Sequence, residues 1–130
     1  MENPYPMQIL QLNHVALHVR DVNASTRFYR DVLHLTVMPR PDFSFPGAWL
    51  EIQPPANGQP AYELHLIGLH AEQVTGAGYH WALRVASITE AASTLQQHNW
   101  PFSGPNTRPD GAKQIFLKDP DGHVVELCEV

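Results

Sequence analysis

With 130 residues and 43% apolar side chains, the chain has material for one hydrophobic core, in one domain or in two small halves that share it. A formal charge of −5 with only eight scattered Lys plus Arg offers no concentrated basic surface, which argues against nucleic acid as a partner. Cys128 is the single cysteine, so no disulfide framework exists. No apolar run is long enough to cross a bilayer, and Met1 to Met7 lacks a basic, apolar leader pattern, so the expectation is a soluble cytoplasmic protein with no membrane contact.

The first periodic segment is LNHVALHVRD, where Val15, Leu17 and Val19 alternate with His14, Ala16 and His18 as in a half-buried strand. Asp21 or Asn23 can then cap a helix through about Leu33, with Phe28, Tyr29, Val32 and Leu33 on its apolar stripe. The Pro- and Gly-rich stretch PRPDFSFPG reads as a loop leading into the strand AWLEI. Asn57-Gly58 suggests a hairpin turn before the strand YELHLI. After a loop rich in Gly and Ala, the strand pattern returns as HWALRV.

Laying His80 on His14 also superposes Ala82 on Ala16, Leu83 on Leu17, Val85 on Val19 and Ser87 on Asp21. Ser87 with Glu90 forms a capping-box pattern opening a second helix, whose Ile88, Ala91, Ala92 and Leu95 face the sheet. The chain thus contains a degenerate internal repeat. PFSGPNTRPDG then serves as a connection to the strands KQIFL and HVVELCEV, which are joined by the turn Asp119-Pro120-Asp121-Gly122.

Side chains alternate across a strand, so parity assigns faces. If the apolar residues face the helices, His14 and His18, His80 and Arg84, and Glu126 and Cys128 all take the opposite face. Should the two halves curl into one cup, His14, His80 and Glu126 can converge on a divalent ion. Two imidazoles and a carboxylate suit Fe(II), Mn(II), Co(II), Ni(II) or Zn(II) and leave positions open for substrate. Glu63 and His65 of YELHLI point the same way. Matching LHL to the final VEL makes His65 the counterpart of Glu126, whereas matching the EL dipeptides selects Glu63; parity does not separate the two, and His65 is favoured. His34, His70, His98 and His123 fall at helix ends, loops or turns and are expected in solvent. Trp81 and Tyr29 read as core, and Trp49, Phe43 and Phe45 either wall a pocket or close the sheet. Arg40, Arg108 and Lys113 are loop cations available to an anionic substrate.

The opening HVALHVRDVNASTRFYRDVLHL, the strand HWALRV and the hairpin DPDGHVVEL together resemble the vicinal oxygen chelate superfamily, which includes glyoxalase I, fosfomycin-resistance proteins, methylmalonyl-CoA epimerase, extradiol dioxygenases and bleomycin-binding proteins. The resemblance runs from about Leu12 to Val130, and FSFPGAWL followed by LHLI is similar to small single-domain glyoxalase-I-like proteins. It implies one α+β domain over 8–130, built of two βαβββ modules, at about 10–70 and 78–130, that form a cupped, mostly antiparallel sheet. It further implies a divalent-metal enzyme with His14, His80 and Glu126 as ligands and a variable fourth-strand position, for which this chain offers His65, the favoured choice, or Glu63, with Glu126 as the catalytic group, a small-molecule substrate and a homodimer. Lactoylglutathione-lyase-like isomerisation is the nearest activity; extradiol dioxygenation, thiol transfer to an antibiotic and non-catalytic sequestration are the alternatives.

Overall fold

A computed structural model describes residues 10–68 and 79–130. The first half contains strand β1 (His14–His18), helix α1 (Val22–Arg27) with a wider π-helical continuation over Phe28–Val32, and strands β2 (Thr36–Met38), β3 (Gly47–Gln53) and β4 (Tyr62–Ile67). The second half repeats the order as β5 (His80–Arg84), α2 (Ile88–Gln97), β6 (Phe102–Thr107), β7 (Lys113–Lys118) and β8 (Val124–Glu129).

Local chemistry sets the boundaries. The Asp21 carboxylate accepts the Ala24 amide at 3.0 Å and the Ser87 hydroxyl accepts the Glu90 amide at 3.2 Å, each relieving an orphan donor at a helix start. The Glu129 carboxylate accepts from the Ile88 amide at 2.8 Å and ties the end of β8 to the start of α2. Between β3 and β4, Asn57 and Gly58 both adopt positive φ (52° and 77°), and Ala56 and Gln59 exchange backbone hydrogen bonds. That is the type I′ geometry the Asn-Gly pair predicts.

Hydrogen bonding divides the strands into two four-stranded sheets, ordered β1-β4-β3-β2 and β5-β8-β7-β6. In each, the pairing of the first and last strands is parallel and the rest antiparallel, so the fold is α+β with two mixed sheets. One stretch departs from the sequence reading: Phe102–Thr107, expected as a connection, is edge strand β6. Its register shifts between Ser103 and Asn106, at the place of Gly104 and Pro105. An edge strand with an irregularity tolerates proline because the missing donor is not needed there.

The helix-facing residues are the ones parity selects. Leu50, Leu64 and Leu66 of the first sheet and Ile115, Leu117, Val125 and Leu127 of the second are buried in one common cluster with Val19, Phe28, Tyr29 and Leu95. Each such aliphatic side chain contributes about 1.5–3 kcal/mol on burial.

The halves meet at the π-helical turn of the first. Phe28 lies 4.6 Å from Trp100 and Tyr29 lies 6.1 Å from Trp81, ring centre to ring centre. The Tyr29 hydroxyl donates to Asp119 Oδ2 at 2.8 Å, and Arg20 pairs with Asp121 at 2.9 Å. His123, expected in solvent, instead lies with Nε2 2.9 Å from the His18 carbonyl and takes part in this junction. Burial raises the Tyr29 hydroxyl well above its usual pKa, with the Asp119 charge adding to the effect, and burial likewise raises Asp119. The junction uses the helix sides of the sheets, which leaves their opposite faces for chemistry.

Candidate functional site

In the first half, β1 and β4 run parallel with His14 opposite Glu63 and Ala16 opposite His65, while β3 places Trp49 opposite His65. His14, Glu63, His65 and Trp49 therefore share the face away from the helix. In the second half, Ala82 and Phe116 both stand opposite Glu126, and His80 stands opposite Val124. The two registers decide the equivalence that parity leaves open. His65 and Glu126 each face the alanine two residues beyond the repeated histidine, so they occupy matching places, and the counterpart of Glu63 is Val124.

The first-half side chains form a stack. The His65 imidazole lies parallel to the Trp49 indole (3.9 Å between centres, 1° between planes) and against the His14 ring (4.1 Å, 17°). His14 Nδ1 meets Asn13 Oδ1 at 2.7 Å and His65 Nε2 meets Glu63 Oε1 at 2.8 Å. Each ring is thus oriented through one nitrogen and keeps the other, the arrangement by which outer carbonyls and carboxylates fix a ligand imidazole.

The second-half pair is tighter and more buried. Glu126 is only 5% exposed, and a carboxylate so placed needs partners to offset its lost hydration. It has two: His80 Nε2 stands 3.3 Å from Oε1, and Gln114 Nε2 donates to Oε2 at 3.3 Å. Gln114 escaped the sequence reading although its signal was present, since Ile115 and Leu117 of KQIFL face inward and parity then puts Gln114 and Phe116 with Glu126. The Phe116 ring meets His80 edge-on at 5.9 Å. Phe116 also lines a cavity of about 900 Å³ together with Trp100, Pro101, Ser103, Lys118 and Val124, a lining that does not include His80, Gln114 or Glu126. Cys128, on the same face, directs its thiol to the Leu83 carbonyl at 3.6 Å.

The structure accordingly brings His14 together with His65 and Glu63, and His80 together with Glu126. Among the described residues it does not gather three or more His, Cys, Asp or Glu side chains into one group able to hold an ion. The physical reason lies in the pairing: the two sheets hydrogen-bond separately, and each presents its own half-set of donors. The donor chemistry of each half fits a divalent transition metal. Two donors each about 2.1 Å from an ion and roughly at right angles lie about 3 Å apart, close to the His80 to Glu126 spacing. His70 lies outside the described residues.

Comparison with known proteins agrees with this architecture. A family model described as the Glyoxalase/Bleomycin resistance protein/Dioxygenase superfamily matches residues 11–127. The chain is 26% identical over 125 residues to the lactoylglutathione lyase of Salmonella typhimurium, covering 92% of this chain and 93% of that protein. It is 25% identical over 138 residues to Glyoxylase I 4 of Arabidopsis thaliana, covering 95% of this chain and 72% of that one. Among solved structures, an antibiotic binding protein from a Streptomyces species superposes with a TM-score of 0.76 at 22% identity, covering 95% of this chain and 98% of that one. A genomically encoded fosfomycin resistance protein from Listeria monocytogenes superposes with a TM-score of 0.75 at 19% identity, covering 95% of each chain. Likenesses at these identities speak for the fold. Among the described residues no helix is long and apolar enough to cross a membrane.

Proposed function

Since the chain belongs to the glyoxalase/bleomycin resistance protein/dioxygenase superfamily, we propose that it is a divalent-metal-dependent enzyme acting on a small substrate that presents two neighbouring oxygens, with lactoylglutathione-lyase-like isomerisation as the nearest reaction. The observation that supports this reading is the buried Glu126, whose Oε1 stands 3.3 Å from His80 Nε2 while Gln114 holds Oε2. His14, His65, His80 and Glu126 are the residues that hold the ion, and Glu63 orients His65. An ion of the Ni, Co, Mn, Fe or Zn group supplies Lewis acidity toward the substrate oxygens. Glu126 carries the proton between neighbouring substrate carbons, a task helped by low exposure, which keeps bulk water from competing. Trp49 lies flat on His65 in one half of the site and Phe116 meets His80 edge-on in the other.

The separate half-sets lead to a homodimer in which the His14 and His65 half of one protomer faces the His80 and Glu126 half of its partner, each chain being a single two-module domain over 8–130. Mixing His14→Ala with His80→Ala protein tests the pairing. Exchange between chains restores about a quarter of the intact sites in a random mixture of two-fold dimers. Pairing within one chain restores none.

Metal content after purification without chelator, and conversion of the methylglyoxal and glutathione adduct to lactoylglutathione, test the reaction. In Glu126→Gln, turnover falls further than metal content, and unchanged turnover refutes the proton-carrying role. Oxygen uptake with catechols, or thiol-dependent loss of an epoxide antibiotic, reassigns the chemistry on the same donors. Metal content insensitive to His14→Ala and His80→Ala points to non-catalytic sequestration.

A further inference from the structure

On the first sheet, the face that carries His14 and His65 also carries Gly47, one strand step from Trp49. A Cβ placed on Gly47 would collide first with the Leu66 carbonyl and would lie 3.0 Å from both Nε and Nη2 of Arg40, so the strand backbone excludes a side chain there and the guanidinium packs close over the glycine. Arg40 reaches this position from the loop between β2 and β3. Its Nη2 donates to the Phe45 carbonyl at 2.9 Å, and its Cζ lies 4.8 Å from the Phe43 ring centre and 5.0 Å from that of Phe45. The two phenyl rings stack at 5.2 Å, and Phe43 continues to Trp49 at 6.2 Å, which in turn lies flat on His65. Rings and cation thus form one continuous wall ending at the candidate ligands.

Two features of this wall lack an explanation in the fold. Among the described residues, Arg20, Arg30 and Arg108 each pair with an aspartate and the unpaired Arg27 and Arg84 are exposed, yet no carboxylate pairs with the half-buried Arg40, and the Phe45 carbonyl is its only acceptor there. Phe43, seated beside Trp49, keeps 43% of its surface in solvent. A guanidinium held by rings and by one carbonyl keeps N–H donors for a two-point carboxylate contact. An exposed phenyl tilted at 49° to an indole offers apolar surface to a flat partner.

We infer that the site takes a planar, anionic substrate, whose conjugated or aromatic body lies against Trp49 and Phe43 and whose carboxylate pairs with Arg40. The step from Gly47 to Trp49 along the strand is about 7 Å, close to the span of a benzene ring with its carboxylate. The oxygens that meet the metal then lie at the far end of the body, toward His65 and His14. The inference rests on the proposed metal chemistry only for that far end; the Arg40 subsite stands on its own contacts.

Calorimetric titration with 2-naphthoate, 2-naphthamide and decalin-2-carboxylate tests it on the intact protein. Native protein binds the naphthoate at least about tenfold more tightly than either the neutral amide or the saturated acid. Arg40→Gln removes the preference for acid over amide, Arg40→Lys keeps part of it, and Phe43→Leu weakens the naphthoate without changing the saturated acid. Equal binding of acid and amide by native protein, or a preference unaltered in Arg40→Gln, overturns the inference. Cobalt titration of the same samples reads the metal separately: absence of cobalt binding sinks the metal proposal while the naphthoate preference remains.

Discussion

Gln114 Nε2 donates to Glu126 Oε2 at 3.3 Å, and the other oxygen of that buried carboxylate faces His80 Nε2 at the same distance. The amide fixes which oxygen is turned toward the imidazole. Replacing Gln114 with Leu is expected to lower metal affinity by about 10- to 100-fold, the usual effect of losing an orienting partner of a ligand. Competition with a coloured chelator measures it, and an affinity equal to native removes Gln114 from this role.

His65 and Glu63 separate by the same assay. With His65 in the place equivalent to Glu126 and Glu63 only 2.8 Å from its Nε2, His65→Ala is expected to lose more affinity than Glu63→Gln. The Glu63 change costs about tenfold, as an orienting contact does. The reverse order would make Glu63 the ligand.

Tyr29→Phe probes the junction between the halves. The hydroxyl is buried and donates at 2.8 Å to Asp119, which is itself 4% exposed. Deleting it leaves a buried acceptor without one of its donors, at a cost of about 1–3 kcal/mol. A shift in denaturant midpoint with unchanged slope is the expected record. No shift would mean that water replaces the hydroxyl.

The two aspartates of the DPDG turn have opposite pH dependence. Burial raises Asp119, so its native form favours the proton: the stability it contributes is complete below its unfolded value of about 3.9 and is lost as pH rises through the native value. For Asp121, burial acts upward but the hydrogen bonds from Arg20 and Ser25 prevail and lower it. Its contribution is present above about 3.9 and disappears as pH falls through the native value. Between pH 3 and pH 7, Asp119→Asn should therefore gain stability relative to native protein with rising pH, chiefly above about 3.9, whereas Asp121→Asn should lose it, chiefly below about 3.9. Denaturant unfolding at both ends of the range measures the pair, and parallel curves would refute the assignment.

Much of this was already written in local patterns. Alternation in HVALH and HWALR assigned the faces, Asp21 and Ser87 marked both helix starts, and Asn57-Gly58 specified its turn, because each depends on residues within a few positions of one another. Edge strand β6 was hidden by Gly104 and Pro105, which have the composition of a loop and lose that meaning only when a neighbouring β7 is there to pair with the rest of the segment. The engagement of His123 by the His18 carbonyl was equally invisible, since its partner lies 105 residues away.

At the site, the division is the same. The amino-acid sequence alone determined that His14, His65, His80 and Glu126 lie on faces turned away from the helices, because strand parity is a property of each strand. Only the tertiary structure decided that His65 and not Glu63 matches Glu126, that Gln114 holds the carboxylate, and that the donors are divided between two sheets. Register and partition arise from which strands hydrogen-bond to which, and that is settled by packing across the whole chain rather than within any strand.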